Sequence, residues 1–190
     1  RQAYYVKGIG ESGARLLAVV NGILSYTHLL SGKVQLSAAP CELAYLLATC
    51  AASQQHKAVE KRQTIAVQVT PPDLTITSDA TALAEVLNRL LDNAVKFTTE
   101  GGCIGLEACP GTAAATVHIA VWDTGIGIPA EQHEHVFRAF TQADASLARQ
   151  HEGIGLGLAY VDEMVRLLGG TISLASTPGR GSRFTITLPA

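Results

Sequence analysis

Val121-Trp122-Asp123-Thr124-Gly125-Ile126-Gly127-Ile128-Pro129 leaves an alternating strand and enters a turn that contains two glycines. Val117, Ile119 and Val121 share one face of that strand, which the pattern sets at about Thr116 to Trp122. A carboxylate at the strand's end accepts a hydrogen bond from an exocyclic amine such as that of adenine. Gly125 and Gly127 let the backbone turn tightly and approach a flat base. An ordinary Asp-Thr-Gly turn has the same local sequence, so its neighbours have to decide.

Upstream, Asp79 is a good N-cap for a helix that turns Leu83, Val86, Leu87, Leu90 and Leu91 inward and stops before Gly101-Gly102. Near its end Asn93 and Lys96 lie three residues apart and project toward one side. An Asn oxygen suits magnesium, a hard cation that keeps several waters and shares substrate phosphates. Lys96 then neutralises phosphate charge; taken alone, the two residues read equally well as a solvated helix face.

Downstream, Gly153-Ile154-Gly155-Leu156-Gly157-Leu158 directly precedes a helix of about Ile154 to Leu168. Glycines there expose backbone N–H groups, and the helix start adds partial positive charge, so anionic phosphates fit. A flexible hinge does not explain glycines at three alternate positions with Ile and Leu between them. Between the two glycine segments, Phe137 and Phe140 of Val136-Phe137-Arg138-Ala139-Phe140 either pin a loop over a nucleotide or form a local core.

The rest of the chain supplies the frame. Leu16, Val20, Ile23, Thr27 and Leu30 follow a helix seam that ends at Ser31-Gly32-Lys33. Val34-Gln35-Leu36 alternates like a short strand, and Pro40 opens a helix running to about Arg62. Ile65, Val67 and Val69 make Thr64 to Val69 a strand, stopped by Pro71-Pro72. Further strands fall at about Cys103 to Cys109, Thr171 to Ser176 and Arg183 to Leu188. Helices and strands mix without strict alternation, which predicts an α+β fold: a two-layer sandwich of mixed sheet and helices, preceded by one long helix.

Composition narrows the function. The chain has 190 residues and a net charge of -2, from 14 basic and 16 acidic residues, so nucleic acid is not an expected partner. Cys41, Cys50, Cys103 and Cys109 form no C-x-x-C pair and read as buried reduced thiols of a cytoplasmic protein. Gly8-Ile9-Gly10-Glu11-Ser12-Gly13 matches G-x-G-x-x-G, yet it lacks a convincing strand before it and an acid about 20 positions later. No G-x-x-x-x-G-K-[ST] occurs either, which excludes a P-loop enzyme.

In this order and spacing, the segments resemble the catalytic, ATP-binding domain of sensor histidine kinases over nearly the whole chain. Leu90-Leu91-Asp92-Asn93-Ala94-Val95-Lys96-Phe97-Thr98 is similar to the family's N box, Asp123 to Pro129 to its first glycine box, Val136 to Phe140 to its F box and Gly153 to Leu158 to its second glycine box. The resemblance implies the Bergerat-type fold and binding of ATP with Mg2+ under a lid of about Thr124 to Glu152. It makes Asn93 the metal ligand, Asp123 the adenine reader, and Lys96, Arg149, Gly155 and Gly157 neighbours of the phosphates. Phe97, Gly125, Gly127, Ile128, Phe137, Phe140, Gly153, Leu156 and Leu158 complete the implied pocket.

Residues 1–32 resemble the second helix of the dimerisation and histidine-phosphotransfer domain, and 33–190 the catalytic domain. A homodimer, a response regulator and a phosphoacceptor domain upstream follow from the same resemblance. Two departures stand out. Arg89 occupies the position, four before Asn93, where the family usually has Asn, a position close to the catalytic step. None of His28, His56, His118, His133, His135 or His151 has the phosphoacceptor context, so the acceptor is expected before Arg1. The implied activity is transfer of the γ-phosphoryl group to that histidine; the alternatives are a degenerate nucleotide- or partner-binding module, or an ATPase of the wider superfamily.

Overall fold

A computed structural model of the chain describes residues 2–113, 115–141 and 155–190. The chain divides into two compact units, Arg1–Val34 and Gln35–Ala190. The first is the helix α1 (Gln2–Leu30), which ends where Gly32 takes a left-handed conformation at φ 67°. Gly8 to Gly13 lie inside this helix, so the G-x-G-x-x-G match makes no strand-to-helix turn. Leu16, Leu17, Val20 and Leu24 are exposed along it. No helix among the described residues is long and apolar enough to cross a membrane.

The second unit begins with a two-stranded antiparallel sheet, β1 (Ala39–Glu42) on β3 (Thr75–Ser78). Helix α2 (Leu43–Glu60) and strand β2 (Thr64–Val69) lie between them in sequence. Helix α3 (Ala80–Phe97) follows, then β4 (Cys103–Pro110) and β5 (Thr116–Asp123). A single 3-10 turn at Ala130–Gln132 precedes α4 (Gly157–Leu167), and β6 (Thr171–Thr177) and β7 (Gly181–Pro189) close the unit. The main sheet has the order β2-β4-β5-β7-β6, with β2 and β4 parallel and the other neighbours antiparallel. The architecture is α+β, as the sequence predicts.

Register explains the core. Leu106, Val121 and Phe184 stand in one cross-strand row, and Ala108, Ile119 and Ile186 in the next. All six are buried, as are Leu83, Val86, Leu87, Leu90 and Leu91 of α3, which packs on the sheet at β5. That stripe repeats at three- and four-residue steps, so one face of α3 is apolar and the other is left for chemistry. On the far face of the sheet, Trp122 Nε1 donates to Glu107 Oε1 at 2.6 Å, and Arg183 donates to the other Glu107 oxygen. Gly105, opposite Trp122, gives the indole its room: a methyl group there would come within 2.2 Å of it.

Asp79 caps α3 as expected, with Oδ1 accepting from Thr81 N and Ala82 N at 2.9 Å each. Its other oxygen accepts from Ser37 N at 2.8 Å, tying the segment before β1 to the helix start. These backbone donors, Ser37 first, hold the carboxyl below its ordinary value of 3.8. Losing the cap in Asp79→Ala is expected to cost about 1–2 kcal/mol in urea unfolding at neutral pH. Because the folded value is lowered, the contribution exists above pH 3.8 and fades as pH falls through the folded value. Wild type and variant should therefore converge in acid, and an undiminished gap there would count against the cap as its cause.

Three local expectations are corrected. Residues 33–38 form no strand, because the alternation at Val34-Gln35-Leu36 finds no partner to pair with. Pro40 lies in β1 and not at a helix start; α2 begins at Leu43, once the pairing of Cys41 with Ile76 is made. Only Cys41 and Cys50 are buried thiols, while Cys103 and Cys109, near the two ends of β4, are exposed.

Candidate functional site

The face of α3 turned away from the sheet carries Glu85, Arg89 and Asn93 at successive four-residue steps. With Gln54 of α2 and Gly157 of α4, they line an open cavity of about 570 Å³. Asn93 and Gly157 look at each other across it: a methyl group built on Gly157 would stand 4.0 Å from Asn93 Nδ2. Gly157 is the first residue of α4, which puts the start of that helix on the cavity wall. An anion meets both a polar amide and a helix N-terminus there.

The metal expectation can be tested on the donor set. Asn93 offers one hard amide oxygen on a half-buried side chain. Asp92 beside it is engaged elsewhere, accepting from Lys57 Nζ at 2.6 Å. A single protein oxygen supplemented by substrate phosphates and waters fits magnesium, which seldom uses an all-protein cage.

The glycine turn after β5 is built against the end of α3. Ile126 N donates to Phe97 O at 3.3 Å, and a methyl group on Gly125 would approach that oxygen to 2.4 Å. Gly127 sits at φ 69°, with the Thr177 carbonyl where a Cβ would go. Gly125 N donates to Asp123 Oδ1 at 2.7 Å. Ile128 N donates to Ser176 Oγ at 2.8 Å, and Gly179 N to Ile126 O at 2.7 Å. The turn is therefore held by α3 on one side and by the β6–β7 hairpin on the other.

Asp123 is buried, and that burial raises its carboxyl above the ordinary value, while N–H donation from Gly125 and Ser182 opposes the rise. It lines a second recess, of about 390 Å³, with Ser176, Gly181 and Ser182. So Arg89, Asn93 and Gly157 share one cavity, and Asp123 another. Lys96 lies one turn nearer the glycine turn, with its ammonium 4.9 Å from the centre of the Phe97 ring. Burial lowers its pKa; Asp92 opposes that and Lys61 adds to it.

Phe137 packs edge-on against Phe184 of β7, with ring centres 6.2 Å apart. Phe140 is exposed at φ 63°, and its N–H donates to Gly155 O at 3.0 Å. Gly155 itself is at φ 73° under the Thr141 carbonyl, Leu156 is buried, and Leu158 half-buried. Arg149 and Gly153, together with the 142–152 part of the expected lid, lie outside the described residues. Sequence reading missed Glu85 and Tyr160, which hold Arg89. The four-residue step from Glu85 to Arg89 was a legible signal; nothing local pointed to Tyr160.

Comparison with known proteins identifies the family. The family described as histidine kinase-, DNA gyrase B-, and HSP90-like ATPase matches residues 78–190. An uncharacterised sensor-like histidine kinase of Rhizobium meliloti is 35% identical over all of this chain, which spans 36% of that protein. The circadian input-output histidine kinase CikA of Synechococcus elongatus is 37% identical, again over all of the chain but only 25% of the relative. A structure of full-length ShkA in complex with AMPPNP superposes with a TM-score of 0.86 at 34% identity, over 99% of this chain and 38% of that one. The catalytic domain of ThkA shares the fold, with a TM-score of 0.69 over 80% of the chain at 24% identity. The chain thus spans between a quarter and two fifths of the first three of these proteins, and 95% of the ThkA catalytic domain. A glycine turn braced on a capped α3, opposite a helix start at Gly157, is what the matched region 78–190 builds, and the chain belongs to the histidine kinase-, DNA gyrase B-, and HSP90-like ATPase family.

Proposed function

We propose that this chain is the ATP-binding catalytic part of a two-component sensor histidine kinase. It transfers the γ-phosphoryl group of ATP to a histidine on a separate helical domain. The observation that carries the reading is Asn93 opposite Gly157, an amide side chain across a cavity from a helix N-terminus. Phosphates would lie against the start of α4, with Lys96 and Arg149 near them. Asn93 would hold Mg2+, which neutralises charge on the phosphate oxygens when bound. Asp123 would accept from the adenine amine, the glycines 125, 127, 153, 155 and 157 would give the backbone its close approach, and Phe97, Ile128, Leu156 and Leu158 would pack the base and sugar. Phe137 and Phe140 would anchor the lid.

In the step itself, an imidazole nitrogen of the acceptor attacks the γ-phosphorus. The bond from that phosphorus to the β-γ bridging oxygen breaks, ADP leaves, and the imidazole N–H proton passes to solvent. Residues 1–32 would be the second helix of the dimerisation domain and 33–190 the catalytic domain, in a cytoplasmic part of a homodimer that serves a response regulator.

The direct test mixes the chain with ATP, Mg2+ and a purified helical domain of a relative that carries the acceptor histidine. Acid-labile, base-stable label is expected on the added domain and not on this chain. Free phosphate released steadily without label on the domain would instead point to a hydrolytic ATPase. That outcome is disfavoured by the ion pair of Asp92, the carboxylate next to Asn93, whose Oδ1 accepts from Lys57 Nζ at 2.6 Å.

A further inference from the structure

Arg89 stands where the resemblance leads one to expect Asn, and the structure gives it a setting of its own. Its Nη2 donates to Glu85 Oε1 at 2.8 Å, and its guanidinium carbon lies 3.8 Å from the centre of the Tyr160 ring. The Tyr160 hydroxyl donates to the other Glu85 oxygen at 2.7 Å. Glu85 of α3 and Tyr160 of α4 thus fix the plane of the Arg89 guanidinium. Burial is the first cause of a raised Tyr160 pKa, with Glu85 adding to it, so the phenol stays protonated and keeps donating. Arg89 Nε is buried without a hydrogen-bond partner among the described residues, so the protein does not fully satisfy the group.

We propose that Arg89 binds the terminal phosphate and is what lets this site tell a nucleoside triphosphate from a diphosphate, with Glu85 and Tyr160 as its positioning residues. The inference rests on the nucleotide reading above and adds to it. Direction along α3 carries the argument. The glycine turn, which marks the base end, touches the helix at Phe97 O. Asn93 is one turn back from there, and Arg89 one turn further, roughly 6 Å beyond Asn93 along the axis. A ligand running from the turn past Asn93 reaches Arg89 last, where the γ-phosphate of ATP extends and ADP has nothing.

Charge points the same way. The ionisable side chains lining the cavity are Glu85, Arg89 and Asp92, and Asp92 is taken by Lys57. Arg89 is therefore the one cation among the described lining residues, and without it Glu85 would face the phosphates bare. A planar guanidinium held by a carboxylate and a ring offers its remaining N–H groups in a fixed direction, which suits phosphate oxygens.

The test is calorimetry of the 190-residue chain with Mg-ATP and with Mg-ADP, comparing wild type with Arg89→Ala, Arg89→Lys, Glu85→Gln and Tyr160→Phe. Arg89→Ala should weaken ATP about tenfold or more while changing ADP less than about twofold. Arg89→Lys should recover part of the ATP affinity, since charge returns without the fork. Tyr160→Phe keeps the ring, removes only the hydroxyl, and should lower the ATP-to-ADP preference by an intermediate factor. Equal loss of both nucleotides in Arg89→Ala and Arg89→Lys, or an unchanged ratio, would overturn the inference and leave the function standing. A wild-type chain that binds neither nucleotide would overturn both.

Discussion

Asn93→Ala is expected to weaken Mg-ATP binding by about tenfold to a hundredfold and to bring phosphorylation of an added acceptor domain to background. The range reflects loss of a charge-assisted contact, which contributes about 1.5–3 kcal/mol. Fold damage is not the expected route. The side chain is half-buried and lines the cavity, while its neighbours Ala94 and Val95 supply the core contacts of that turn. Alanine is also the better helix former, so α3 should persist. Calorimetry with and without Mg2+ separates the contributions: the wild type should lose affinity when magnesium is removed, and the variant should be nearly indifferent to it. Equal magnesium dependence in the two proteins would remove Asn93 from the metal site.

Asp123→Asn is expected to lose base selectivity and gain stability in one substitution. Asp123 is buried, and burial is the leading cause of its raised pKa. A carboxyl whose folded value is raised contributes stability below its unfolded value and loses that contribution as pH climbs through the folded value. Burial thus disfavours the ionised group, a cost to the fold that a neutral amide avoids. The melting temperature of Asp123→Asn at pH 7 should therefore equal or exceed that of wild type. Its Gly125 N–H still finds an oxygen, because the amide retains one.

Function should move the other way. Wild type should prefer ATP over ITP, whose base has no exocyclic amine at that position, because the carboxylate can only accept. With an amide that both donates and accepts, the preference should shrink by about tenfold, and ATP and ADP should weaken together. That joint loss contrasts with the triphosphate-only loss expected at Arg89. A variant that is less stable and still prefers ATP to ITP would contradict both halves of the prediction.

Much of the site was legible because its chemistry is local. Asp79 caps the helix through its own next three residues, and Asn93 rides on a helix whose apolar stripe repeats within one segment. The strand Thr64–Val69 could be read from alternation and the two prolines beyond it. The left-handed positions at Gly127 and Gly155 were likewise suggested by glycine at those places. The start of α2 was misread because Pro40 obeys a pairing made with a distant strand, Thr75–Ser78, which the sequence reading did not foresee.

Sequence alone therefore determined the α+β class, the elements β2, α3, β4, β5, α4, β6 and β7, and the helix face that bears Asn93, since each follows from periodicity, capping or glycine within a few residues. Only the tertiary structure decided which cysteines are exposed, how the turn after Asp123 is braced by Phe97 and the β6–β7 hairpin, and what surrounds Arg89. Tyr160 reaches Glu85 across 75 residues of chain, and no local pattern encodes such a contact. It exists because α3 and α4 pack side by side on one sheet, which brings the two side chains within hydrogen-bond reach.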